Sequence, residues 1–188
     1  MIILGLDIST SCTGITIMDN HKNLLLCNYI EISKCKGLYS KAEKIREAFN
    51  KINEEYDISH IFVEENLQKF RPGFSSAKVL TTLSKFNGIV CYIANEVFKK
   101  STEPININVV SARKSLGLKI QREKKCGVST KDQVLNWVSK DCESIVWPTK
   151  VLKSGPRKGM EIISTTSYDM ADSYVIAVAG LVQTKCWC

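Results

Sequence analysis

The stretch Met1-Ile-Ile-Leu-Gly-Leu-Asp7 decides the fold, because it is an apolar run that ends in a carboxylate. Residues 2–8 are apolar on both faces, which predicts a strand in the middle of a sheet. Ser9-Thr-Ser-Cys-Thr-Gly14 reads as a hydroxyl-rich turn, and Ile15 to Met18 resumes extended structure. Asp19-Asn-His-Lys-Asn23 is a polar hairpin turn, and Leu24 to Ile32 is a third strand. The chain therefore opens with a three-strand antiparallel meander.

Working outward, strand and helix signals alternate. Leu38, Ala42, Ile45, Ala48, Phe49 and Ile52 fall on one helical stripe within residues 38–56. Ile58 to Glu64 is the next strand, parallel to its neighbour if the preceding helix is a crossover. Ser75 to Lys100 has long helical spacing, with Gly88 allowing a close approach. Ile105 to Val110 reads as a fifth strand, and Ser111 as the cap of a short helix ending at Leu116. Thr130 to Val138 and Thr165 to Val182 are further helices. Residues 145–163 break the pattern and read as a basic β-hairpin or a loose basic excursion. The expectation is one α/β domain over 1–188: a mixed five-stranded sheet, three antiparallel strands plus two parallel ones, flanked by helices.

Bulk properties narrow the function classes. The chain is 44% hydrophobic and 24% charged, ordinary for a globular domain. No apolar run approaches the ~20 residues that span a bilayer, so no membrane partner is expected. The N-terminal apolar stretch is short and has no basic region ahead of it. The expected location is inside the cell: cytoplasm, or nucleus, organelle or viral replication site, depending on the host. Eight cysteines include no CxxC pair, and His21 and His60 are the only histidines, so the thiols read as reduced and not as a zinc site. The net charge of +7 asks for an anionic partner, nucleic acid first, with plain solubility charge as the alternative.

Against that basic background, four acids stand out. Asp7 ends the first apolar run, and Glu64 ends a second, His60-Ile-Phe-Val-Glu64. Asp169 and Asp172 open the apolar helix Tyr168-Asp-Met-Ala-Asp-Ser-Tyr-Val-Ile-Ala177. An unpaired buried carboxylate is costly, and a hard cation such as Mg²⁺ is a physical reason for one. Two such ions side by side clamp the attacking and leaving oxygens of a phosphodiester. Asp169 and Asp172 are three apart, so they share a helix face near its dipole-positive end. Other readings stand beside these. Asp7 suits a turn, and Asp7 to Gly14 also fits the first phosphate loop of sugar kinases and actin-like ATPases. Thr166-x-x-Asp169 suits a capping box, which leaves Asp172 without a role. Glu65 is expected to point to the opposite face from Glu64, because strand side chains alternate.

Ile3-Leu-Gly-Leu-Asp-Ile-Ser9 with Gly14, Phe62-Val-Glu64, Lys85-Phe-Asn-Gly-Ile-Val90 and Asp169-Met-Ala-Asp-Ser-Tyr-Val-Ile-Ala177 carry a resemblance. Together, and in this order, they resemble the ribonuclease H-like superfamily, and within it the RuvC-type Holliday junction resolvases. Ser111-Ala-Arg-Lys-Ser-Leu-Gly-Leu-Lys119 is similar to the family's basic segment after the fifth strand. Leu135-Asn-Trp137 and Asp169-x-x-Asp-Ser173 lean toward viral, phage and organellar members.

The resemblance implies a Mg²⁺-dependent endodeoxyribonuclease that nicks four-way junctions symmetrically as a homodimer, with two ions per site and Mn²⁺ as a substitute. Asp7 would bridge both ions, Glu64 would hold one, and Asp169 with Asp172 would complete the other. A metal-activated water would cleave the phosphodiester in line, with a 3′-hydroxyl leaving group. The helix at 75–100 is the implied dimer face. DNA contacts are expected from Arg113, Lys114, Lys119, Arg122, Lys124, Lys125 and Lys131, and from the hairpin's Lys150, Lys153, Arg157 and Lys158. The family carries a base-stacking aromatic three residues after the second acid. Here Leu67 stands there, so Phe70 or Phe74, next to Arg71, is the substitute. Three alternatives remain open at this point: a nuclease for flaps, forks or other branched DNA, a phosphotransferase, and a non-catalytic DNA-binding module.

Overall fold

The computed structural model describes residues 1–65, 76–99 and 103–185. Seven strands and six helices follow one another along them: β1 (Ile2–Ile8), β2 (Cys12–Asp19), β3 (Leu24–Glu31), α1 (Gly37–Glu55), β4 (Ile58–Glu64), α2 (Ala77–Val97), β5 (Ile105–Ile107), α3 (Val109–Ser115), α4 (Glu123–Cys126), α5 (Thr130–Asp141), β6 (Thr149–Val151), β7 (Glu161–Ile163) and α6 (Thr166–Lys185). The main sheet runs β3-β2-β1-β4-β5, so β1 is its middle strand. β1–β2 and β2–β3 are antiparallel, while β1–β4 and β4–β5 are parallel. This is the expected mixed five-stranded α/β sheet.

Side-chain alternation along β1 divides the core into two layers. Leu4, Leu6 and Ile8 point to one face, where Ala42, Ile45 and Phe49 of α1 and Phe86, Val90 and Ile93 of α2 cover them. Ile3 points to the other, under Tyr174, Val175 and Ala177 of α6. Burying each of these large aliphatic side chains contributes on the order of 2 kcal/mol. Asp7 falls in the same alternation as Ile3 and Gly5, so the α6 layer is its layer. Gly5 lets α6 settle directly on the sheet, since a Cβ there would lie 2.6 Å from the Ser173 carbonyl oxygen. Two interior hydroxyls of this layer are paired: Thr16 Oγ1 and Ser173 Oγ are 2.8 Å apart, and the Ser173 hydroxyl reaches the Met170 carbonyl. Tyr174 is buried, but its hydroxyl donates to Asp141 at 2.8 Å, and Asp141 pairs with Lys22.

Several local expectations change. β2 begins at Cys12, because the hydroxyl turn is shorter: Ser9 N donates to the Cys12 carbonyl, and the Ser9 hydroxyl joins both backbone groups of Cys12. β5 stops at Ile107 and not at Val110. Asn108, not Ser111, caps α3, its side-chain oxygen accepting from the backbone of Val110 and Ser111 at 3.1 Å each. The short helix α4 was not legible in the sequence pattern. Gly88 is exposed on α2, and a Cβ there would meet nothing within 4 Å, so no close approach within this chain explains it. Residues 145–163 do form a hairpin. β6 and β7 pair antiparallel, Gly159 N donates to the Leu152 carbonyl, and Lys150, Lys153, Arg157 and Lys158 are all exposed. No described helix is long and apolar enough to cross a membrane.

Candidate carboxylate site

The parallel strands β1 and β4 end side by side, in a register that pairs Leu6 with Val63. The next residues along each strand are Asp7 and Glu64. Glu64 shares the alternation of Phe62, which packs in the α6 layer, so both acids face α6 at the carboxyl ends of the strands. α6 crosses over them with Asp169 and Asp172 in its first turns. Asp7, Glu64, Asp169 and Asp172 thus line one cavity of about 270 Å³, together with Ser9, Glu65, Leu83 and Lys131.

Glu65 lies in this cavity too, contrary to the strict alternation expected from the sequence. β4 ends at Glu64, so the alternation does not extend to Glu65, whose backbone N–H bonds to the Ile107 carbonyl. Its carboxylate accepts from Asn108 Nδ2 at 3.0 Å.

Each carboxylate charge is compensated in a different way. Burial, then the charges of Glu64, Asp172 and Asp169, hold Asp7 well above the usual carboxylate range, and it shares a hydrogen bond with Glu64. Burial first, and the Asp172 charge second, push Glu64 up to about 7. Asp7 therefore retains the proton and donates it to Glu64. Asp169 is raised by burial, partly offset by a hydrogen bond from the Cys12 thiol and by the Lys131 charge. Burial, and then the Asp169 charge, push the Cys12 thiol up, so it stays protonated as a donor. Asp172 makes an ion pair with Arg113, Nη2 to Oδ1 at 2.8 Å, with both side chains largely shielded from solvent.

Lys131, one of the expected DNA-contacting residues, is exposed and lines the acidic cavity. Ser129 caps α5, its hydroxyl accepting from Asp132 N and donating to the Asp132 carboxylate. Tyr168 donates to the same carboxylate at 2.7 Å, and Lys131 Nζ sits 5.6 Å from the Tyr168 ring centroid. Tyr168 immediately precedes Asp169, so this network ties α5 to the acid-bearing turn. Neither Lys131's place there nor the inward turn of Arg113 was legible from spacing. The only hint was that each basic residue adjoins an apolar helical stripe.

The other described residues expected to contact DNA do not line this cavity. Lys114 and Lys119 are exposed around a second cavity beside α3, and Arg122, Lys124 and Lys125 are exposed at α4. Phe70, Arg71 and Phe74 lie outside the described residues.

Four carboxylates on one wall match the oxygen donors that Mg²⁺ or Mn²⁺ takes. Among the described residues, no group of three His, Cys, Asp or Glu is disposed to hold a metal ion as it stands. That agrees with Asp172 being turned to Arg113 and with Asp7 and Glu64 sharing a proton, and a divalent cation would replace both compensations. The donor set fits the ion on this ground.

No family model matches the sequence, and no curated protein matches it. Solved structures do match. A structure of Thermus thermophilus RuvC aligns at a TM-score of 0.61 with 16% identity, over 99% of this chain and 97% of that one. T. thermophilus RuvC in complex with a Holliday junction substrate aligns at 0.60 with 15% identity, over 98% and 96%. Fowlpox virus resolvase, in complex with its substrate Holliday junction DNA, aligns at 0.50 with 16% identity, over 98% and 99%. At these identities the likeness is one of fold, and it extends along nearly the whole of each chain. The chain has the ribonuclease H-like fold of the RuvC and poxvirus resolvase structures.

Proposed function

We propose that this protein is a structure-selective endonuclease that resolves four-way (Holliday) DNA junctions by divalent-metal-dependent hydrolysis, with paired symmetric nicks. The observation that carries the reading is the convergence of Asp7, Glu64, Asp169 and Asp172 on one cavity. The fold supports it, since the solved resolvases that share it are bound to Holliday junctions. Mg²⁺ held by these four side chains, with Mn²⁺ able to replace it, would supply a nucleophilic water and neutralise charge building on the phosphodiester. Asp7 would be shared between the ions, since it lines the cavity with the other three carboxylates. Glu64 would help to hold one, and the Asp169–Asp172 pair the other. Lys131 adds a fixed positive charge on the same wall, where the scissile phosphate would lie.

The basic surface is the other half of the reading. Lys114, Lys119, Arg122, Lys124 and Lys125 on one side, and the hairpin cations on the other, suit the phosphate backbones of the junction arms. A four-way junction has two-fold symmetry, so paired nicks require two active sites and hence a C2 homodimer. The exposed side of α2 that carries Gly88 and Tyr92 is the face offered to the second copy. The six described cysteines are all free thiols, which suits a reducing intracellular compartment. Cleavage of a synthetic four-way junction, with flap, fork and linear duplex as competitors, tests the proposal. Cutting that ignores branch geometry would replace it with a broader nuclease.

A further inference from the structure

A second cavity, of about 520 Å³, opens on the far side of Arg113. Its wall holds three cations, Arg113, Lys114 and Lys119, and the apolar side chains of Val110, Leu118 and Ile120, with no carboxylate. Arg113 is the shared partition. It lines this basic cavity, and its Nη2 pairs at 2.8 Å with Asp172, which lines the acidic one. The hold on Arg113 is incomplete, since its Nε is buried without a hydrogen-bond partner. A buried donor left unpaired favours any rearrangement that supplies an acceptor.

We infer that the basic cavity binds a backbone phosphate of the DNA strand, and that Arg113 transfers from Asp172 to that phosphate, so that DNA binding frees Asp172 for the divalent cation. The inference rests on the proposed reading of the acidic cavity as the cation site. The cavity suits a nucleotide unit in both its chemistries: the lysines and arginine take the phosphate, and Val110, Leu118 and Ile120 offer an apolar wall to sugar or base. A phosphodiester presents paired oxygens that match the guanidinium fork. Charge balances in the exchange. Arg113 leaves one anion for another, and the carboxylate it leaves is neutralised by the incoming cation. Because coupling between two sites is reciprocal, the cation must tighten DNA binding by the factor by which DNA tightens cation binding. Without DNA, Arg113 keeps the acidic site weak for metal.

The test is Mn²⁺ affinity, read by isothermal titration on the full chain, alone and bound to a four-way junction made resistant to cutting by central phosphorothioates. For the parent protein, the junction is expected to tighten Mn²⁺ at least tenfold. Arg113→Gln is expected to bind Mn²⁺ several-fold tighter than the parent without DNA, and to lose at least two-thirds of the junction's effect. Lys114→Gln/Lys119→Gln, both changes at exposed positions, is expected to keep the parent's DNA-free Mn²⁺ affinity while losing a similar part of the effect. Thermal melting confirms that each variant is folded. If Arg113→Gln binds Mn²⁺ no tighter without DNA, or if both variants keep the full effect, the coupling is overturned while the nuclease reading stands. If inorganic sulfate at matched ionic strength reproduces the whole effect, the cavity takes a free anion and the DNA assignment fails. If the parent binds no Mn²⁺ in either state, the cation site itself fails, and this inference with it.

Discussion

Gly14 of β2 is packed against the backbone of Asp169 on α6, so closely that a Cβ on Gly14 would stand 1.9 Å from the Asp169 carbonyl oxygen. Gly14 also pairs with Asp7 across the β1–β2 ladder. One small residue therefore sets the gap between the sheet that carries Asp7 and the helix that carries Asp169. Gly14→Ala must push the first turn of α6 outward. We expect a loss of about 3 kcal/mol in denaturant unfolding, and cleavage reduced by tenfold or more in the fraction that remains folded.

The proposed function divides the labour: the carboxylates would serve chemistry and the basic surface affinity. Asp7→Asn, Glu64→Gln and Asp172→Asn should each reduce cleavage to background and change junction affinity in EDTA less than about threefold. Glu65→Gln should keep cutting, because its carboxylate is engaged by Asn108. Gel-shift and cleavage assays on the same labelled junction separate the two effects. A dead Glu65→Gln beside an active Glu64→Gln would assign the second ligand to Glu65.

Without metal, the acidic cavity costs stability as pH rises. Glu64 is held up to about 7 chiefly by burial, whereas an unfolded glutamate titrates near 4.5. Between those values the folded chain binds the extra proton, so folding stability falls as pH increases through the window. The contribution is on the order of a few kcal/mol, at about 1.4 kcal/mol per pKa unit. Melting scans in EDTA should show a lower Tm at pH 7.5 than at pH 5. Glu64→Gln should flatten much of that slope, and Mn²⁺ should restore stability at the upper end. A metal-free Tm that rises from pH 5 to 7.5, with Glu64→Gln unchanged in slope, would contradict the charge arrangement.

The β6–β7 hairpin is tied at its base to α6, which carries Asp169 and Asp172. Ser164 N and the hydroxyl of Ser167, two residues before Asp169, both donate to the Pro148 carbonyl. Phosphates gripped by Lys150, Lys153, Arg157 and Lys158 would thus be held at a set distance from the acids. Changing all four to Gln should weaken junction binding by tenfold or more near 0.1 M salt and reduce the slope of log K against log salt by about 3. Equal slopes for parent and variant would show that these side chains touch no phosphate.

The exposed side of α2 should hold the dimer. Tyr92 is 66% exposed on that helix, and Gly88 lies one turn before it. Tyr92→Asp and Gly88→Arg should each convert the protein to a monomer in sedimentation equilibrium, with unchanged melting at low concentration. Two sedimenting species with the same mass as the parent would move the interface elsewhere.

The sheet and most helices were legible because their signals are local. β1, β4 and α6 are largely apolar runs that each carry a carboxylate, and an interruption costly to bury is itself informative at Asp7 and Asp172. What was hidden depended on side-chain direction. Arg113 read as a surface cation, since nothing in spacing tells a basic residue that faces solvent from one turned against a carboxylate. The end of β5 was hidden for a related reason: Val109-Val110 has strand-forming residues, but the Asn108 side chain captures the next two N–H groups and starts a helix. Glu65 was misplaced because alternation holds only while the strand lasts.

The most direct measurement is cleavage of a labelled synthetic four-way junction by the parent chain and by Asp7→Asn, in Mg²⁺, Mn²⁺ and EDTA, with flap, fork and linear duplex as competitors. The account predicts paired nicks at symmetric positions, dependent on metal and on Asp7, and resistant to the competitors. A folded parent chain that binds the junction and leaves it uncut with either metal would contradict it.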